Sequence, residues 1–73
     1  MTDNAYRKLL KRVVVKSDVC GGEACIEGTR INVAVVLDSL AEGLSTKEIT
    51  KHFPPLTELD VRATVTYARG ARL

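Results

Sequence analysis

Apolar positions change their spacing once along this chain. Ahead of residue 32 they come in short runs. Tyr6, Leu9 and Leu10 share one side of a short helix expected over Asp3 to Leu10, a piece marginal without a partner. Val13-Val14-Val15 is β-branched throughout and predicts a strand. The glycine pair at 21–22 turns the chain, Ala24-Cys25-Ile26 returns as a second strand, and Gly28-Thr29-Arg30 makes a second turn. Such a β element is too thin to stand alone.

From Asn32 onward the period is helical. Asn32 caps a helix in which Val33, Val36, Leu37 and Leu40 recur at i, i+3, i+4 and i+7, and Gly43 ends it as a residue suited to positive φ. In the next helix Ser45 and Glu48 form a capping box stapled by Leu44 and Ile49. Phe53-Pro54-Pro55 stops that helix, because proline cannot donate a hydrogen bond and keeps its predecessor out of the helical region. Thr57 and Asp60 repeat the box, with Leu56 and Val61 as the staple, and open a third helix that runs to about Gly70. The expectation is one mostly α domain over residues 1–73. It comprises an arm (1–12), a β element (13–31) and a trihelical unit (32–70).

On a helical wheel Val61, Thr64, Val65 and Ala68 form the core stripe of the third helix. Arg62, Thr66 and Arg69 make a polar stripe beside it, of the kind a recognition helix turns toward DNA. Glu58 stands one turn before Arg62 and can pair with it. Leu59, Ala63 and Tyr67 lie roughly opposite the core and predict a second packing partner: the N-terminal segment, a twin subunit or another protein.

The net charge of +2 is unevenly placed. Residues 1–16 hold five basic groups against Asp3; residues 17–61 hold eight acids against three bases; the remainder adds Arg62, Arg69 and Arg72. A fold joining the two ends makes a basic face. Lys11, Arg12, Lys47 and Arg72 therefore complete the candidate DNA-binding set with Arg62, Thr66 and Arg69.

Cys20 and Cys25 are the only cysteines, and with His52 as the lone histidine a zinc site lacks ligands. The segment between them can turn so that the thiols face one another, either as packed small apolar groups or as a pair open to oxidation. His52 reads as a cation at a helix C-terminus. No nucleophile–base pair or phosphate loop is present, so neither an enzyme nor a cofactor is expected. No apolar run approaches a membrane span and no signal-peptide pattern opens the chain, which predicts a cytoplasmic protein; so small a core predicts a homodimer.

The stretch Gly22-Glu23-Ala24-Cys25-Ile26-Glu27-Gly28-Thr29-Arg30-Ile31 resembles domain-of-unknown-function family 433, with its glycine, short apolar strand and Gly-Thr-Arg-Ile. The likeness continues through Val33, Leu40-Ala41-Glu42-Gly43-Leu44-Ser45, Glu48-Ile49, Pro55-Leu56-Thr57, Asp60-Val61 and Tyr67-Ala68. It implies a homeodomain-like, winged-helix type of trihelical helix-turn-helix fold. It also implies an antitoxin of a type II toxin–antitoxin pair that binds operator DNA and a PIN-like toxin nuclease; a homodimeric interaction module without DNA binding is the alternative. Asn32 replaces a customary proline and Cys25 a β-branched residue. The chain carries no long tail after the third helix, so a toxin is expected to meet the folded domain or the arm. Within Gly28-Thr29-Arg30, glycine is expected to supply backbone shape. Arg30 is expected to pair with a carboxylate that pins the β element to the helices, or else to meet an anion.

Overall fold

The computed structural model describes residues 3–70. In chain order these form α1 (Asp3–Leu10), β1 (Val13–Val15), a 3₁₀ turn (Cys20–Gly22), β2 (Ala24–Ile26), α2 (Val33–Ala41), α3 (Thr46–His52) and α4 (Glu58–Gly70). The chain is mostly helical, with a two-stranded sheet near its N-terminus.

β1 and β2 pair antiparallel, with Val13 opposite Ile26, Val14 opposite Cys25 and Val15 opposite Ala24. Arg12 and Glu27 extend the ladder through a 2.8 Å bond from the Glu27 N–H. On its other side β2 meets the chain that leads into α2: the Ile26 N–H donates to the Ile31 carbonyl at 3.0 Å, and Cys25 bridges to Asn32. The turn between these segments is closed by Thr29. Its hydroxyl donates to the Ile26 carbonyl at 2.9 Å and accepts from the Ile31 N–H at 3.1 Å. Gly28, at φ +79°, supplies the left-handed step that a Cβ would penalise.

Each helix begins where its side chains satisfy orphan N–H groups. Asn32 accepts from the Val35 N–H at 2.8 Å. Ser45 and Glu48 form the reciprocal box, at 3.2 Å and 2.9 Å. Asp60 accepts from the Thr57 N–H at 2.9 Å, and the Thr57 hydroxyl accepts from the Asp60 N–H at 3.3 Å. Gly43, at φ +97°, follows α2.

Ile26, Val33, Val36, Ile49, Leu56 and Val61 form the buried core, with Val13, Leu37, Leu40, Phe53 and Tyr67 among the flanking side chains. α4 is the common wall: α1, α2, α3 and β1 all pack on it. Its buried arc is wider than the wheel predicts. Asp60, Val61, Ala63, Thr64 and Thr66 are all buried, whereas Val65, expected in the core, is 48% exposed. Thr64 tolerates full burial because its hydroxyl donates to the Val61 carbonyl at 2.7 Å.

The cause is α1, which packs along α4 beside the flanking core residues Val13 and Tyr67. Tyr6 and Leu10 gather with Val13, Tyr67 and Gly70, while Leu9 reaches Thr66 and Arg62. Two faces that lacked partners in the sequence, that of the short first helix and the back of the last, therefore cover one another. A Cβ on Gly70 would sit 2.7 Å from the Tyr6 hydroxyl, so the smallest residue marks the closest approach.

Candidate nucleic-acid interface

Once α1 has covered one flank of α4 and the core the other, a narrow ribbon remains. Arg62, Val65 and Arg69 are exposed along it at i, i+3 and i+7, each about one turn from the next. Arg62 and Val65 border a groove of about 350 Å³ whose other walls come from Leu9 of α1, Leu40 of α2 and Thr46 of α3. Two cations thus flank an apolar side chain on the last helix. Guanidinium forks suit phosphate oxygens and guanine edges, and a branched aliphatic group suits a thymine methyl.

Other residues of the expected set fall elsewhere. Lys47, in the first turn of α3, and Lys11, just after α1, are exposed. Thr66 lines the same groove as Arg62 and Val65, beside Leu9 of α1, but is only 8% exposed and offers little surface next to the two arginines. Arg12 is engaged: its Nη1 lies 3.1 Å from Asp60 Oδ1, the one ion pair among the described residues. Arg72 lies outside the described residues.

That pair corrects the reading of Arg30. Arg30 is exposed and makes no ion pair among the described residues, and neither do Glu58 and Arg62. The β element is pinned instead from the entry to β1, by Arg12 against the first turn of α4. Asp60 serves twice, as the return contact of the Thr57 cap and as the anion for Arg12. A cap and a tertiary contact then share one carboxylate.

The stripe of Leu59, Ala63 and Tyr67 does not survive as a surface. Ala63 is fully covered, Tyr67 is half-buried against the core, and Leu59 alone remains 44% exposed, beyond the reach of α1. Of the three partners weighed for that stripe, the N-terminal segment lies beside Tyr67, and Leu59 stays open. Both signals were present in the sequence, an amphipathic stub and an apolar back, but pairing them requires knowing that α1 runs back along α4.

The two cysteines are free and close together. Cys25 is fully buried, and the Cys20 thiol of the 3₁₀ turn neighbours it. Burial, followed by that thiol contact, pushes the Cys25 pKa up. At the first turn of α3 the effect is opposite. The Ser45 backbone N–H and then its hydroxyl hold the Glu48 carboxyl below its ordinary range.

The profile of a family described as "Protein of unknown function (DUF433)" matches residues 13–68. Among solved structures, a crystal structure of a DUF433 member from Anabaena variabilis ATCC 29413 is 31% identical to this chain, with a TM-score of 0.78; the match covers 93% of this chain and 67% of that one. No curated protein matches the sequence. No helix among the described residues is long and apolar enough to cross a membrane.

Proposed function

Starting from the fact that this chain belongs to the DUF433 family, we propose that it is a non-enzymatic, operator-DNA-binding protein of the antitoxin type, with α4 as its reading helix. The observation that carries this is the ribbon of Arg62, Val65 and Arg69, left open on the last of three mutually packed helices. In a homeodomain-like or winged-helix arrangement the third helix of such a unit enters the major groove. The connection from α3 to α4 holds Pro54 and Pro55 and is longer than the tight glycine turn of many helix-turn-helix proteins. A longer turn changes the angle between the helices, not the exposure of the ribbon. Lys47 and Lys11 add cations for flanking phosphates.

In this reading the protein works in the cytoplasm as a homodimer on two half-sites, paired with a PIN-like toxin nuclease. The alternative reading, an interaction module without DNA contact, would have to use what stays open of the Leu59, Ala63 and Tyr67 stripe, chiefly Leu59.

The test is fluorescence anisotropy with DNA from upstream of the gene, titrated across salt concentrations. Changing Arg62 and Arg69 to Ala together should weaken binding and lower the slope of log affinity against log salt by roughly 2. Unchanged affinity and slope would remove α4 from the interface.

A further inference from the structure

β2 is satisfied on both sides, by β1 and by the chain at Ile31 and Asn32. Among the described residues β1 has a strand neighbour on one side only. Antiparallel ladders alternate, and the bonded pair Arg12–Glu27 fixes the phase: Val14 turns its N–H and C=O to Cys25, while those of Val13 and Val15 turn outward. No hydrogen bond among the described residues engages these outward groups. Val15 is 61% exposed, the most open of the exposed large apolar side chains. No proline, bulge or inward charge interrupts Val13-Val14-Val15; the strand is short, and lysines stand near both its ends.

We propose that β1 is a docking edge that takes an extended, acidic segment of another protein as a third strand. Charge selects the occupant. Lys11 and Lys16 are exposed on either side of the valine run; Arg12, next to it, is held by Asp60, and Glu23 and Glu27 lie on the neighbouring strand side, turned away from the open edge by the ladder. A hollow of about 380 Å³ on the outer face beside Val14 adds Arg30 to Lys16, against Glu27. A second copy of this chain meets the wrong charges. Paired parallel, Lys11 and Lys16 would each face their own twins; paired antiparallel about Val14, Lys16 would face Arg12, which Asp60 already engages. An acidic strand replaces that repulsion with attraction, and its backbone completes the bonds of Val13 and Val15. This edge is separate from the ribbon of Arg62, Val65 and Arg69, and the proposal does not rest on DNA binding.

The probe is an acetylated, amidated peptide that alternates valine with glutamate, compared with its lysine counterpart, on isotope-labelled full-length protein. Saturating acidic peptide should slow amide hydrogen exchange at Val13 and Val15 by about tenfold or more, and the lysine peptide should not. Lys11→Glu with Lys16→Glu should reverse the preference between the two peptides. Val15→Pro deletes one outward N–H at an edge position and should abolish protection while the helical circular dichroism persists. Should Val15→Pro fail to fold, the charge-reversed variant decides alone. Absence of protection, or equal protection by both peptides, overturns the proposal. Protection that grows with protein concentration alone, together with a dimer mass, assigns the edge to a second copy and also overturns it.

Discussion

Arg12 and Asp60 stand 48 positions apart in sequence, yet their side chains meet at 3.1 Å and bind the entry of β1 to the first turn of α4. The arginine is 40% exposed and the aspartate 10%, so the two ends of this contact are unequal. Removing Arg12 forfeits a half-solvated ion pair. Asp60→Ala also strips the Thr57 N–H of its acceptor. Urea unfolding should therefore show Arg12→Ala costing about 0.5–1 kcal/mol and Asp60→Ala about 2 kcal/mol. Equal losses in the two variants would mean that the cap contributes nothing.

The capping box of α3 gives the protein an acid sensitivity of known sign. The Ser45 N–H donates to Glu48 at 2.9 Å and favours the ionised carboxylate, so its folded pKa lies below the unfolded one. That contribution is complete above the ordinary carboxyl pKa and is lost as pH falls through the lowered value. Glu48→Gln keeps an acceptor but cannot ionise. Thermal melts of the two proteins should converge as the solution is acidified and separate, with the wild type higher, toward neutrality. A constant gap across that range would contradict this assignment.

Thiol chemistry should distinguish the two cysteines. Cys25 is fully buried and its pKa is raised by that burial, so little thiolate is available to react. In native protein an alkylating reagent should modify Cys20 first. Cys25 should follow only as fast as the fold opens, and denaturant should equalise the rates. Mass spectrometry of timed samples checks this.

Gly43 has no atoms within 4 Å of where a Cβ would lie, yet its φ is +97°. Any cost of substitution there is conformational rather than steric. Gly43→Ala should lower stability by about 1 kcal/mol. Gly70→Ala tests the opposite case: the helical backbone gains, and the Tyr6 hydroxyl must move. Chemical denaturation monitored by circular dichroism separates the two.

Local grammar carried most of the legible fold. Asn32, Ser45 with Glu48, and Thr57 with Asp60 all cap the helices that their spacing predicts, because a cap concerns residues three apart. The face of α4 was less legible. Val65 has the side chain of a core residue and Thr66 that of a surface one, but α1 covers Thr66 and leaves Val65 open. No window within α4 contains that information. The same holds for the pin between sheet and helices: Arg30 and Arg12 are equally good cations in sequence. Only the fold brings Arg12 beside Asp60. Of the candidate site, the two arginines were readable by helical spacing, and the open edge of β1 was not, since it depends on which side of each strand is occupied.

The meeting of Tyr6 with Gly70 brings the described chain back to where it starts, so its topology is close to a ring. A circular permutant should exploit this. Linking Asp3 to Gly70 through a glycine–serine linker and reopening the chain between the exposed Pro54 and Pro55 should preserve the helical spectrum, because the new break crosses no helix.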